Sequence, residues 1–168
     1  MSAGALLFLG FLGLQRLAEL ALARRNTARL MARGAVEHGA GHYPLIVALH
    51  AGWLAAMAVM GHDAALHFGW LGLFALLQLL RVWILASLGP RWTTRIIVID
   101  APLVATGPFR WLRHPNYLLV AVEIPVAPMV LGLWEVALVF GLLNAAMLAW
   151  RIRVEARALA PYRSATRA

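Results

Sequence analysis

Residues 113–155 read RHPNYLLVAVEIPVAPMVLGLWEVALVFGLLNAAMLAWRIRVE, two apolar runs with basic residues at both ends. A bilayer core about 30 Å thick needs about 20 apolar residues in a helix, because each residue adds 1.5 Å. The runs Tyr117 to Leu133 and Trp134 to Trp150 approach that length. Pro125 and Pro128 should kink the first run, so the pair is predicted to form a short membrane hairpin.

Three more apolar runs of similar length precede this hairpin. They are Ala3 to Ala23, Tyr43 to Met60 and His67 to Leu88. Hydrophobic residues make up 62% of the 168 residues, against about 45–50% in soluble domains. The sequence therefore predicts an all-α integral membrane bundle of about five transmembrane helices, as a single domain over residues 1–168. The first run has no basic region before it and no convincing cleavage site after it, so we expect it to remain in the mature protein.

The basic residues predict the orientation of the bundle. All 15 are Arg, and all but Arg16 and Arg81 lie in the segments that follow the first, third and fifth runs. The alternate connections, residues 61–66 and the turn near Gly132 to Glu135, contain none. Cytoplasmic loops attract basic residues, so the N-terminus is predicted outside and the C-terminus inside, in a bacterial inner membrane.

Composition also excludes several classes of function. The net charge of +8 does not predict a nucleic-acid partner, because the Arg residues lie between apolar runs instead of forming a basic face on a soluble fold. The absence of Cys excludes disulfides, thiol nucleophiles and Cys-based metal sites. His38 and His42 are four residues apart, but no third ligand has a matching spacing, so no metal site is predicted.

Charged residues inside membrane spans are costly and usually face a partner or a cavity. Arg16 and Glu19 are three residues apart, which predicts a local ion pair. Arg81 and Glu123 each lie about 10 Å from the cytoplasmic end of their runs, so an interhelical pair is plausible. Whether that pair is structural or lines a site stays open at this point. The other polar residues inside the runs are His50, Gln78 and Asn144.

The start of the hairpin has the pattern of a helix N-terminus that binds an anion. Pro115 precedes an apolar run, which is typical of the first position of a helix. The free N–H groups there, together with Arg113 and His114, would favour a charged ligand.

The last run carries a polar stripe on one face. Asn144, Arg151 and Glu155 project within about 20° of one another at 100° per residue. The stripe emerges at the cytoplasmic surface and presents a cation and an anion together. The alternative interpretation is a local ion pair between Arg151 and Glu155, combined with the general preference for Arg on the inner side.

The sequence Arg-His-Pro-x-Tyr before a hairpin and Arg-x-x-x-Glu after it resembles the isoprenylcysteine carboxyl methyltransferase family, integral membrane enzymes that use S-adenosylmethionine. The resemblance covers Arg91 to about Leu159. It implies that Arg151 binds the acceptor and is catalytic, and that the cofactor pocket is cytoplasmic. The residues implied to bind the cofactor are Leu103, Val104, His114, Pro115, Asn116, Tyr117 and Glu155.

The resemblance defines the methyl acceptor less narrowly than it defines the methyl donor. The stretches Glu37 to Pro44 and Gly89 to Val98 resemble a bacterial subgroup in which some members methylate hydroxyls of long-chain alkylpyrones or alkylresorcinols, and not a prenylated cysteine. A carboxylate is ionised at neutral pH and needs no base, whereas an unactivated phenol, with a pKa near 10, needs one. His114 or Glu123 would then be the nearest base, which makes His114 the second candidate catalytic residue.

Two other classes of function compete with this hypothesis. A small membrane transporter or assembly protein would use the polar residues to line a path, but no inverted repeat or pair of broken helices is visible. A membrane reductase that uses NADPH is the enzymatic alternative. The sequence contains no indication of oligomeric state.

Overall fold

The computed structural model describes residues 2–160, and within that range the chain forms five α-helices and one small sheet. The helices are α1 (Ala3–Met31), α2 (Tyr43–Gly61), α3 (Phe68–Leu88), α4 (Pro115–Val130) and α5 (Trp134–Ala158). The strands are β1 (Val36–His38) and β2 (Ile96–Val98), and short 3-10 turns lie at Ala40–His42, Gly89–Arg91 and Gly107–Arg110.

Helices α1, α2, α3 and α5 are long and apolar enough to cross a membrane, while α4 has 16 residues. A helix of that length spans about 24 Å, which is less than the full hydrocarbon core. The predicted all-α membrane bundle is confirmed, and the chain is an integral membrane protein.

Three helices differ from the predicted runs by two residues or more at one or both ends. α1 continues past Ala23 to Met31 and α5 continues past Trp150 to Ala158, because Arg and Ala are good helix formers and hydropathy alone does not end a helix. α4 covers Pro115–Val130 where Tyr117 to Leu133 was expected, since proline occupies its first position.

The turn between α4 and α5 confirms the predicted hairpin. Gly132 has a φ of 69°, a left-handed conformation that favours glycine. A Cβ at this position would lie 2.8 Å from Nε2 of His67, so the turn also packs tightly. The Leu133 amide donates to the Pro128 carbonyl at 3.0 Å, which closes the turn.

A buried tryptophan supports the irregular part of α4. Pro128 has no N–H, so the carbonyl of Ile124, four residues earlier, loses its helical partner. The indole Nε1 of Trp53 on α2 donates to that carbonyl at 3.0 Å, and Trp53 is completely buried. In a membrane such a freed carbonyl must be satisfied by a neighbouring helix, and α2 provides this bond.

The two-stranded sheet was not predicted. β1 and β2 are antiparallel, with Val36 opposite Val98 and His38 opposite Ile96. The sheet joins the α1–α2 connection to the α3–α4 connection, and an Arg95–Glu37 ion pair at 2.8 Å links the same two segments. It lies at one end of the bundle, where it forms part of the wall of the site described below.

The Arg-rich connections that the structure describes lie at the end of the bundle that carries the sheet. The opposite end is formed by residues 62–67 and 131–133, where the His67 amide donates to the Val130 carbonyl at 2.9 Å. Arg163 and Arg167, which were counted with the last basic segment, lie outside the described residues.

Candidate active site

Three adjoining cavities begin at the basic end of the bundle. The outer cavity, about 880 Å³, and the central cavity, about 160 Å³, share Arg113, His114 and Glu155 in their walls. The inner cavity, about 330 Å³, extends between the helices and shares Tyr117 and Arg151 with the central cavity. The central cavity, whose wall is about half polar, therefore meets the mostly apolar inner cavity at a common wall.

The residues that the resemblance implies lie around these cavities, with one exception. Leu103 and Val104 line the outer cavity, whereas Asn116 and Tyr117 line the central and inner cavities. Pro115 is buried at the first position of α4 and lies in the wall of none of the three. Its contribution is to begin the helix that carries Asn116 and Tyr117.

Glu155 on α5 is held by two residues from the start of α4. The Tyr117 hydroxyl donates a hydrogen bond to Oε2 of Glu155. His114 Nδ1 lies 3.8 Å from Oε1 of the same carboxylate. The His114 ring also stacks on Tyr117, with centroids 5.5 Å apart and 29° between the planes. One carboxylate, one imidazole and one phenol thus form a contiguous group at the junction of α4 and α5.

Arg151 lies one turn from Glu155 but does not pair with it. The described contacts of Glu155 are with Tyr117 and His114, so the alternative interpretation of an Arg151–Glu155 ion pair is wrong. The guanidinium carbon of Arg151 lies 5.7 Å from the Tyr117 ring centroid, within the range of a cation–π contact. Arg151 is only 7% exposed, and its charge faces the boundary between the central and inner cavities.

Two buried polar atoms of residues that line the central cavity have no hydrogen-bond partner within residues 2–160. They are Oδ1 of Asn116 and Nε1 of Trp92, both buried. A buried polar group without a partner costs about 1–3 kcal/mol, so such atoms are normally bonded. A small molecule with both donors and acceptors would satisfy them. The same wall contains one carboxylate, Glu155, and four arginines, which are Arg91, Arg95, Arg113 and Arg151. The central cavity therefore offers partners to both a cationic and an anionic group of a ligand.

The sequence analysis did not single out Trp92 or Phe109 as site residues. Both come from the α3–α4 connection, which folds back over the central cavity. The sequence did contain one indication of their role: this long connection lies directly before the Arg-His-Pro-x-Tyr motif, within the part of the chain that the resemblance covers. Within residues 2–160, no group of three or more His, Asp or Glu side chains lies close enough to bind a metal ion.

The charged residues inside the bundle form one network. Both expected pairs, Arg16–Glu19 at 3.0 Å and Arg81–Glu123, are confirmed. Arg16 also reaches Glu123 at 2.8 Å, and the Gln78 amide donates to Glu123 at 2.9 Å. The Glu123 carboxylate is fully buried, already accepts bonds from three side chains and lines none of the three cavities. His114, the other base candidate, lines the outer and central cavities.

Comparison with known proteins identifies the same family as the sequence motifs do. The model of the isoprenylcysteine carboxyl methyltransferase family matches residues 70–161, more than half of the chain. The uncharacterized protein YpbQ of Bacillus subtilis (strain 168) is 37% identical over 162 residues, which cover 93% of this chain and 96% of that protein. No solved structure gives a significant match. With its helical membrane bundle and its cavities around the two motifs, the chain belongs to the isoprenylcysteine carboxyl methyltransferase family, whose activity is methyl transfer at a membrane.

Proposed function

We propose that this protein is an S-adenosylmethionine-dependent O-methyltransferase that acts on a lipophilic acceptor at the membrane. The observation that carries the proposal is the common wall of Tyr117 and Arg151, which separates a polar cavity open at the basic end from an apolar cavity inside the bundle. A polar cofactor and a lipid acceptor would reach the wall from opposite sides.

The outer and central cavities offer the kinds of contact that the proposed cofactor needs. S-adenosylmethionine supplies a methyl group on a sulfonium centre when it is bound. The Glu155 carboxylate and Oδ1 of Asn116 would accept hydrogen bonds from its ammonium or hydroxyl groups, and Leu103 and Val104 offer apolar surface in the outer cavity. The hydrogen bond from Tyr117 holds the Glu155 carboxylate in place for this role.

The acceptor would lie in the inner cavity with its reactive oxygen beside Arg151. A carboxylate can accept two parallel hydrogen bonds from a guanidinium, and it needs no base because it is already ionised at neutral pH. This chemistry fits the carboxylate of a prenylated cysteine. By fixing the oxygen against the wall and excluding water, Arg151 and Tyr117 would convert a bimolecular reaction into a positioned one.

The second candidate acceptor is the hydroxyl of a long-chain alkylpyrone or alkylresorcinol. Such a hydroxyl must lose its proton, and His114 lies next to the wall with the Glu155 carboxylate 3.8 Å from its Nδ1. That carboxylate would face the charge that His114 gains on accepting a proton. If His114→Gln keeps full turnover and unchanged cofactor affinity, His114 is not the base.

We further propose that the basic end of the bundle is cytoplasmic, in the inner membrane of a bacterium, with the N-terminus outside. All the Arg-rich segments of the described chain lie at that end, and cytoplasmic segments attract such residues. Cofactor made in the cytoplasm would then enter the outer cavity directly.

Binding to purified protein in detergent tests the proposal against its alternatives. We expect saturable binding of S-adenosylmethionine by calorimetry and none of NADPH. NADPH binding alone would favour a reductase, and binding of neither would favour a transporter or assembly protein.

A further inference from the structure

The inner cavity is polar at both ends. Its wall contains Arg151 and Tyr43 at the basic end of the bundle, here called the mouth, and His50, Arg16, Glu19 and Arg81 at what is here called the far end. His50 follows Tyr43 by seven residues on α2, so the far end lies about 10 Å deeper in the bundle than the mouth. The wall between the two ends is mainly aliphatic. An entirely hydrocarbon chain that filled this cavity would meet charged side chains at its tip.

In the charged network at the far end, both carboxylates have all the partners they need. The Glu19 and Glu123 carboxylates each contact both Arg16 and Arg81. Among the described residues, Nε of Arg16 and Nε of Arg81 are buried donors without a partner. Oε1 of Gln15, whose amide nitrogen donates to Glu19, is an unpartnered acceptor in the same network. Replacing a buried ion-pair network with apolar residues of similar volume is often neutral or stabilising. Structural support alone therefore does not explain a donor-rich network beside a cavity, and charged residues at such depth usually mark a functional site.

His50 adds a hydrogen-bond acceptor to the same end of the cavity. Its Nδ1 lies 2.9 Å from the carbonyl of Ile46, and a carbonyl can only accept, so Nδ1 carries the proton and Nε2 is the acceptor of the neutral ring. Arg16 packs against the same face of α2, since its guanidinium carbon lies 5.7 Å from the ring of Trp53, three residues after His50. Together the two residues match a hydroxyl, which both donates and accepts.

We propose that His50 and Arg16 form a second polar subsite that binds a hydroxyl group of the acceptor, about 10 Å from the atom that is methylated. The acceptor is then an oxygenated lipid with polar groups at two positions. This inference rests on the proposed function, because that function places the first polar group of the acceptor at Arg151. His50 and Arg16 determine specificity and take no part in methyl transfer.

A matched pair of ligands tests the subsite. Decanoate and its ω-hydroxy derivative differ by one terminal hydroxyl, and their affinities are measured by calorimetry for wild type and His50→Leu in the same detergent. For each protein we take the affinity for the hydroxy ligand divided by the affinity for decanoate. The wild-type value is then divided by the His50→Leu value. This double ratio is independent of how the two ligands partition into micelles, because that partition is the same for both proteins. We expect this double ratio to be about tenfold in favour of the hydroxy ligand, the value of one buried hydrogen bond.

Two further variants make the result specific. Leu54→Met changes another residue of the same cavity, one turn after His50, and should leave the affinity ratio at the wild-type value. Arg16→Lys keeps the positive charge near Glu123 while removing the forked guanidinium, and should lower the ratio. A double ratio near one for His50→Leu, or an equal loss in Leu54→Met, would overturn the subsite.

The same preparations separate this inference from the proposed function. Protein that binds S-adenosylmethionine but shows no preference for the hydroxy ligand contradicts the subsite alone. Protein that shows the His50-dependent preference but binds no S-adenosylmethionine supports the subsite and contradicts the proposed methyl donor.

Discussion

The Tyr117 hydroxyl donates a hydrogen bond to the Glu155 carboxylate, and this bond joins the first turn of α4 to the last part of α5. Glu155 therefore pairs with residues of α4 and not with Arg151, which is only one helical turn earlier on the same face. The Glu155 carboxylate lies in the wall of the outer and central cavities, while Arg151 lies at the boundary between the central and inner cavities. This separation of two neighbouring charges would allow the junction of α4 and α5 to face the two ligands proposed above.

Replacing Glu155 with Ala should remove cofactor binding. The carboxylate is the main anionic group of the central cavity, and two lost hydrogen bonds to a charged group would lower affinity by about 100-fold or more. Calorimetry with S-adenosylmethionine in detergent measures this change. Glu135→Ala is the matched control, because Glu135 is exposed at the opposite end of α5. Wild-type affinity in Glu155→Ala would exclude Glu155 from the site.

Tyr117→Phe should weaken cofactor binding by about tenfold without removing it. The variant keeps the ring beneath Arg151 but loses the hydroxyl that holds Glu155, a hydrogen bond of about 1.5 kcal/mol. The dissociation constant of S-adenosylmethionine is the readout. Tyr43→Phe removes a different, partly buried hydroxyl, which shares a 3.1 Å hydrogen bond with Thr94, and should leave that constant unchanged. An equal effect of the two variants would contradict a specific role for the Tyr117 bond.

Arg151→Ala should lower turnover strongly while the protein still binds S-adenosylmethionine. The guanidinium is proposed to hold the acceptor, and removing one positioned donor of this kind lowers kcat by on the order of 100-fold. Arg151→Lys should recover little, because an ammonium cannot make the bidentate contact. Arg153→Ala, two residues further along α5 and exposed, is the control. Joint loss of cofactor binding and turnover in Arg151→Ala would indicate a structural role instead.

Glu123→Gln should destabilise the bundle by about 3–5 kcal/mol, because it leaves two buried guanidinium groups with one carboxylate between them. Unfolding in detergent, followed by circular dichroism, measures the change. Glu135→Gln, at an exposed position, should have no effect on the same scale. A loss below about 1 kcal/mol for Glu123→Gln would show that the network contributes little to stability, as surface ion pairs do.

Hydropathy and the positions of the Arg residues were sufficient to predict the helices and the end of the bundle to which the basic segments belong. Counting residues from the ends of the runs also placed Arg81 and Glu123 at the same depth in the membrane, because each residue of a helix adds a fixed rise along its axis. The same counting could not show that Arg16 and Glu19 join them, since that depends on how α1 is rotated against α3 and α4.

The remaining features depended on contacts between distant segments. β1 and β2 have three residues each, too short for an alternating pattern to be recognised. The Tyr117–Glu155 bond depends on the packing of α4 against α5, and local spacing instead suggested an Arg151–Glu155 pair. One signal was present and not used: Pro128 frees the Ile124 carbonyl, which predicts a donor from a neighbouring helix, and Trp53 is that donor.

The most direct test of the account is transfer of a labelled methyl group from S-adenosylmethionine to lipids extracted from bacterial membranes, by purified wild-type protein and by Arg151→Ala. We expect the label to appear in an organic-soluble product with wild type and to fall to background with the variant. An absence of labelled lipid with a wild-type preparation that binds S-adenosylmethionine, or equal labelling by both proteins, would contradict the account.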